Sequence, residues 1–364
     1  MTEWKIYRLG DIATMKYGKL PPKNNSGQYP IWSGYRNVGF TDTYNCSKGT
    51  IIVVARGVGG TGDVKIAKED CFLTNLSIAV NIDTDICLPQ YFYYKFYLSN
   101  LRYLDSGSAQ SQITIDDLKR LQISLPSLEE QRRIVGILGA IDDKIENNRR
   151  INDNLEQQAQ AIYLSYFTNT AYCYLGDKVI TSSGGTPSRN ITEYYSSSGF
   201  NWVKSKELNR SVIFDTEEKI TEIAVCNSSA KILPKHSTLI AMYGATVGEY
   251  ALISKPMACN QAVCALIPNE DYPFTYLFMY AKNIRQELIN NAVGSAQQNI
   301  SQVAIKNMQI SSETDKIKQF NSAVEGIFEA IIHLNYENSI LIRLCDTLLP
   351  RLMSGELKIN EIDC

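Results

Sequence analysis

The sequence predicts an α+β protein built from two tandem β-rich globular lobes. Each lobe is followed by a long helix, and the two helices pair as an antiparallel coiled coil with pseudo-two-fold symmetry. Three observations predict this. Nearly the same segments are written twice, far apart in the chain. Short β-like runs broken by Gly, Asn, Ser and Tyr fill the first part of each copy. A heptad-spaced apolar seam fills the end of each.

The duplication shows best in GSAQSQITIDDLKRLQIS (Gly107–Ser124) and GSAQQNISQVAIKNMQIS (Gly294–Ser311), identical at nine of 18 positions. Upstream, YRLGDIATMKYGKLP (Tyr7–Pro21) aligns with CYLGDKVITSSGGTP (Cys173–Pro187) at an offset of 166. GTIIVVARG (Gly49–Gly57) aligns with STLIAMYGA (Ser237–Ala245) at an offset of 188, so the second copy carries about 22 extra residues. A period this long excludes a solenoid and means two domains.

The first lobe takes residues 1–126. Its YPIWSGYRNVGFTDTY (Tyr29–Tyr44) mixes aromatics, Gly, Ser, Arg and Asn without sustained periodicity, as a recognition loop or a loop packed on its own lobe would. In TIIVVARGVGGTGDVKIA, Gly57, Gly59 and Gly62 spell G-x-G-x-x-G. A dinucleotide site needs a helix after those glycines. DVKIA alternates like a strand instead, so the segment reads as a β-hairpin, as does LIAMYGATVGEYALIS in the second copy.

The first helix takes residues 127–168, with Ser127 and Glu130 spaced as a capping box. Its seam is Ile134, Leu138, Ile141, Ile145, Asn148, Asn152, Leu155, Ala159, Ile162 and Tyr166. The second lobe takes residues 169–312 and the second helix 313–358, leaving 359–364 as a tail. The second seam is Phe320, Val324, Ile327, Ile331, Leu334, Asn338, Leu341, Cys345, Leu348 and Leu352, each at an offset of 186. A strict 3.5-residue repeat over several heptads marks a coiled coil; two amphipathic helices lying on their own lobes are the alternative. Antiparallel pairing about the midpoints sets Asn148 against Asn338, a buried polar pair that fixes register.

Composition narrows the function. Apolar content of 44% and charged content of 20% suit a globular protein, with no apolar run of membrane length and no signal-peptide pattern in MTEWKIYRLG. Nine scattered cysteines without C-x-x-C point away from zinc and disulfides and toward a cytoplasmic location. His236 and His333 are the only histidines, so no metal or catalytic set is singled out. Phosphate-loop, amino-methyltransferase and serine-elbow motifs are absent; Asp42, Asp63 and Lys65 only faintly suggest a nuclease arrangement. Net charge is −2, yet the helical stretches sum to −4 and the tail to −2, which leaves the lobes at +4 and permissive for phosphate contacts.

LPSLEEQRRIVGILGAIDDKIENNRRINDNLEQQAQAIYLSYF (Leu125–Phe167) resembles the central conserved region of the specificity (S) subunit of type I restriction–modification systems. GGTPSRNITEYY, NWVKSKEL, NSSAKILPKHSTLIAMYGATVG and NQAVCALIP resemble one variety of that family's target recognition domain, and YPIWSGYRNVGFTDTY another. The resemblance covers nearly the whole chain. It implies a non-catalytic subunit whose two recognition domains each read one half of a bipartite, asymmetric DNA site. The helices would set the gap and dock two methyltransferase (M) subunits that use S-adenosylmethionine to methylate adenine N6. Restriction (R) subunits with ATP and Mg would complete the complex, and no cofactor is implied for this chain. The second helix departs from the pattern, with SSETDKIKQF in place of LPSLEEQ, so an M-subunit contact through those residues would differ between halves.

Recognition residues follow from chemistry, since Arg, Asn and Gln pair bidentately with base edges while Lys and Arg also bind phosphates. In the first lobe they are Ser33, Tyr35, Arg36, Asn37, Arg56 and Lys65; in the second, Thr186, Lys204, Lys206, Tyr243, Thr246, Asn260 and Gln261. Gln110, Gln112, Gln297 and Gln298 are base readers or anchors of the lobe–helix junction. A structural protein with two binding lobes on a coiled-coil spacer, and no DNA role, is the competing reading.

Overall fold

A computed structural model of the protein describes residues 4–21, 26–34, 36–57, 60–105, 111–294 and 298–357. The chain forms two compact units, Met1–Lys144 with Arg343–Cys364, and Ile145–Ile342. Each unit holds one lobe and a stretch of both long helices, so the compact units cut the helices where the sequence boundaries had kept them whole. No helix among the described residues is long and apolar enough to cross a membrane.

In the first lobe, strand Lys5–Arg8 pairs antiparallel with Gln122–Leu125 and ties the start of the lobe to its end. A four-stranded antiparallel sheet follows in the order Ala13–Tyr17, Ser77–Ile82, Ile51–Val54, Val64–Ile66. Ile51–Val54 is buried throughout and has partners on both sides, which is why IIVV is a continuous apolar run. A smaller sheet joins Arg36–Thr41, Tyr29–Ser33 and Phe72–Leu73, the last in parallel. The glycine segment is a hairpin, as expected. Gly62 has φ +92, and an added Cβ would lie 2.4 Å from the Arg102 nitrogen, so both conformation and space demand glycine.

The second lobe repeats this frame. Tyr172–Tyr174 pairs with Gln309–Ser311, and the main sheet runs Thr181–Ser183, Val263–Leu266, Thr238–Ala241, Tyr250–Ile253. It adds a fifth strand, Val212–Ile213, parallel to Tyr250–Ile253. The smaller sheet is Lys219–Ile220, Tyr195–Val203 and Ala258–Cys259. The described part of the repeated segment, from Ser111 in one copy and Gln298 in the other, closes each frame. Thr114 caps helix Ile115–Arg120, and Ser301 caps helix Gln302–Lys306. The Gly of each Leu-Gly-Asp lies against the lysine of the closing helix, where an added Cβ would stand 3.0 Å from Lys119 Cβ and 2.9 Å from Lys306 Cβ.

Backbone pairing corrects one alignment. Ile113 N–H donates to the Ala55 carbonyl and Ile300 N–H to that of Met242, so the first strands of the two hairpins correspond at an offset of 187 rather than 188. Successive apolar residues of a buried strand look alike, which hid the slip.

The long helices span Leu128–Phe167 and Thr314–Ser354. Ser127 Oγ accepts from Glu130 N–H at 3.3 Å, the expected cap. Within the second unit, Asn148 Nδ2 donates to Asn338 Oδ1 at 2.9 Å and to Glu337 at 2.7 Å. There the rings of Tyr163 and Phe167 both lie 5.6 Å from that of Phe320. Rising numbers on one helix meet falling numbers on the other, so the pairing is antiparallel.

Ile134, Leu138, Ile141, Ile145, Asn152, Val324 and Ile331 are buried as the seam requires. Leu155, Leu334 and Leu341 are half-buried. Toward the second lobe the seam shifts: Phe328 is buried where Ile327 was expected, and Tyr163 and Phe167 where Ile162 and Tyr166 were. There the helices share a core with helix Phe274–Asn290, and a globular core takes a broader stripe than a two-stranded seam.

The lead-in to the first helix is also explained. Gln131 is fully buried, accepting from Leu88 N–H at 2.9 Å and donating to the Ile86 and Pro126 carbonyls at 3.0 Å each. Its counterpart at the seam offset is buried Ile317. This difference between the copies concerns how each helix docks on its own lobe.

Candidate nucleic-acid interface

In the first lobe, strand Tyr29–Ser33 turns at Gly34, whose φ of +60 allows the tight return to Arg36. Ser33 Oγ accepts from Thr74 Oγ1 at 3.3 Å. A methyl built on Gly34 would stand 3.7 Å from the Arg56 carbonyl, and Arg56 bridges to Gln112. The fold therefore gathers Ser33, Arg56 and Gln112, separated by up to 79 residues, at one corner. Arg36, Asn37 and Arg56 are exposed; Asn37 Oδ1 accepts from Gly39 N–H at 2.9 Å. Lys65 places its ammonium 5.9 Å from the ring centroid of Trp32, the residue next to Ser33 in the chain, and burial lowers its pKa. Tyr35 and Gln110 lie outside the described residues.

The second lobe builds the same corner from other side chains. An added Cβ on Gly184 would fall 2.1 Å from the Cys259 carbonyl oxygen, and on Gly18 2.2 Å from that of Thr74, so each copy needs glycine at this approach. Thr186 Oγ1 donates to Gln261 Oε1, and Asn260 Oδ1 accepts from Ala262 N–H at 3.2 Å. Met242 N–H donates to the Ala262 carbonyl at 2.8 Å, which sets Tyr243 beside that turn. Tyr243 bridges to Asn299, the counterpart of the Arg56–Gln112 bridge, and its ring is exposed. Thr246 donates its hydroxyl to the Tyr243 carbonyl at 2.9 Å, so that group is engaged in the turn. Gln298 is exposed, its carbonyl accepting from Gly244 N–H at 2.8 Å. Gln297 lies outside the described residues.

Lys204 and Lys206, named among the recognition residues, are both ion-paired in the folded lobe. Lys204 Nζ lies 2.5 Å from Glu218 and 3.2 Å from Glu217, and Lys206 Nζ 2.7 Å from Glu217. Arg189 completes the network at 2.6 Å from Glu218, its guanidinium 4.3 Å from the Tyr195 ring centroid and 5.4 Å from that of Trp202. Arg189 and Lys204 hold the Glu218 carboxyl at a pKa of about 2. The Glu207 carboxylate joins them, accepting from Lys204 N–H at 2.8 Å and Glu217 N–H at 2.9 Å, so three cations face three carboxylates. Arg189 escaped the sequence reading, although an arginine a few residues before Tyr194 and Tyr195 was a legible stacking signal. Asn299 was missed because its pairing with Tyr243 spans 56 residues.

Each corner offers amide groups that both donate and accept, beside one larger group: a guanidinium in the first lobe, a phenol in the second. Such groups suit base edges and sugar–phosphate oxygens.

Comparison with known proteins gives this arrangement a context. A family model described as the type I restriction modification DNA specificity domain matches residues 1–157 and 175–312. The type I restriction enzyme MjaIX specificity subunit of Methanocaldococcus jannaschii is 26% identical over 99% of this chain and 95% of its own length. The HindI specificity subunit of Haemophilus influenzae is 23% identical over 98% of this chain and 100% of its own. The solved S subunit of a type I restriction–modification system from M. genitalium aligns with a TM-score of 0.65 at 18% identity, covering 96% of each chain, a likeness of fold.

Proposed function

The chain belongs to the type I restriction–modification DNA specificity family, and from that premise we propose that it is the non-catalytic DNA-reading subunit of such a complex. Each lobe reads one half of a bipartite, asymmetric site. The paired helices hold the spacing and dock two methyltransferase subunits, which supply S-adenosylmethionine chemistry at adenine N6. Restriction subunits using ATP and Mg complete the assembly.

One observation carries this reading: a single backbone frame is built twice and presents different side chains at equivalent positions, Arg56 and Gln112 in one lobe and Tyr243 and Asn299 in the other. A shared frame with divergent tips reads two unlike sequences. The test is a genome-wide map of N6-methyladenine with and without this gene, the methyltransferase partner being present. Loss of methylation at one asymmetric bipartite motif is expected. An unchanged map would point to an inactive system or to another role, such as a structural protein with two binding lobes.

A further inference from the structure

We propose that the first lobe accepts an extended strand of a partner polypeptide along the edge strand Val64–Ile66, in the groove that the second lobe fills with a strand of its own. The two lobes differ at this place. In the first, the chain turns at Gly34, two residues after Trp32, and Ser33 pairs with Arg36. In the second, the residue equivalent to Trp32 is Val203, for Thr74 N–H donates to the Trp32 carbonyl and Asn260 N–H to that of Val203. From Val203 the second lobe makes a long excursion before Glu218 returns to pair with Trp202. Within it, Val212–Ile213 joins the sheet as its fifth strand. Part of the extra length in the second copy is therefore spent on covering this sheet edge.

The register shows what the first lobe leaves open. Val54 N–H donates to the Asp63 carbonyl and Ala67 N–H to that of Thr50, both at 2.9 Å. By strand alternation, Asp63, Lys65 and Ala67 face the neighbouring strand, and the N–H and C=O of Val64 and Ile66 point outward. Their counterparts, by identical pairing with the adjacent strand, are Tyr250 and Leu252. In the second lobe those groups are used: Arg210 N–H donates to the Tyr250 carbonyl at 2.7 Å, and Leu252 N–H to that of Ser211 at 2.9 Å. Among the described residues, Val64–Ile66 is the last strand of its sheet.

A cavity of about 630 Å³ lies along this edge, lined by Trp32, Val64, Tyr93 and Tyr97 together with charged residues that include Lys65 and Glu69. It adjoins the hairpin whose counterpart carries the fifth strand. An unpaired strand beside a groove with aromatic walls is a template for strand addition, with main-chain bonds giving affinity and side-chain pockets giving selectivity. The occupant is defined by what the second lobe uses: an extended segment, parallel to Val64–Ile66, with two consecutive apolar residues like Val212 and Ile213.

The test uses the full chain and a synthetic peptide of sequence NRSVIFDT, copied from residues 209–216. Amide exchange resolved at Val64 and Ile66 is compared for the chain alone, with excess peptide, with a scrambled peptide and with a DNA duplex. Only the copied peptide is expected to slow exchange at Ile66, by tenfold or more. Tyr97→Ala, in the groove wall, is expected to weaken that effect several-fold without moving the melting temperature. Unchanged exchange with the copied peptide, or equal slowing by the scrambled one, overturns the proposal. So does slowing by DNA alone, which would place nucleic acid on this edge, or slowing that rises with chain concentration, which would place a second copy there. DNA binding is assayed separately, so failure of the DNA reading leaves this test intact.

Discussion

Among single residues, the buried asparagines carry the most information. Asn148 is fully buried, and while its amide nitrogen donates to Asn338 and Glu337, its Oδ1 has no partner. A polar pair so placed costs stability and specifies register. Asn148→Ala is expected to lose about 1–3 kcal/mol, since it strips the donor from a buried acceptor. Asn148→Leu with Asn338→Leu is expected to be neutral or stabilising in urea unfolding, while cysteine cross-links placed along the helices should then report more than one register. Glu218 gives a pH prediction. Its folded pKa of about 2 lies below the ordinary 4.5, held there by Arg189 and Lys204. Its contribution is therefore complete above about pH 4.5 and is lost as pH falls toward 2. The network is largely exposed, so the effect is small at neutral pH. Thermal melts of wild type should fall more steeply than those of Glu218→Gln across that window.

At the level of elements, Gln131 decides how the first helix meets its lobe. Gln131→Ala would remove the side-chain partner of Leu88 N–H and of the Ile86 and Pro126 carbonyls, the last of them in a buried site. A loss of about 3 kcal/mol is expected in urea unfolding, because each orphaned group costs on the order of 1–3 kcal/mol. Ile317→Ala is instead a cavity mutation costing about 2–5 kcal/mol, with no polar group exposed. The two helices and the glycine hairpins were legible because their signals are local and periodic. The antiparallel register was legible too, through the Asn148–Asn338 match. The fifth strand was not, since two residues, Val212 and Ile213, carry no period and pair in parallel with a strand some 40 residues on. The shift from Ile327 to Phe328 was hidden for another reason: a heptad count cannot tell a partner helix from a lobe core. At the candidate interface, residue types were readable and partners were not. The pairing of Lys204 with Glu217 and Glu218 forms only when the chain folds back, so no local pattern announces it.

For the molecule as a whole, the net charge of −2 argues that affinity for DNA comes from the local charge of two lobes acting together. Two unlike lobes on one frame then make a separable prediction. Gln112→Ala, in the first lobe, removes an amide that can address a base edge, while the second lobe keeps Tyr243, Asn299 and Gln261. Losing a base contact is worth about 1–3 kcal/mol of discrimination, roughly 5- to 150-fold in tolerance for a wrong base. The methylation map of that variant should therefore relax at one half of the motif and stay strict at the other. Asn299→Ala should relax the opposite half, and the double variant both. Substituting a phosphate-binding cation behaves differently: it lowers binding across all sequences and reduces the salt slope by about one, without altering the motif. Arg56→Ala distinguishes these roles for the first lobe, since a relaxed motif marks a base contact and a shallower salt slope marks a phosphate contact. If either single amide variant relaxes both halves at once, the lobes do not read independently, and the two-corner arrangement is not the source of specificity.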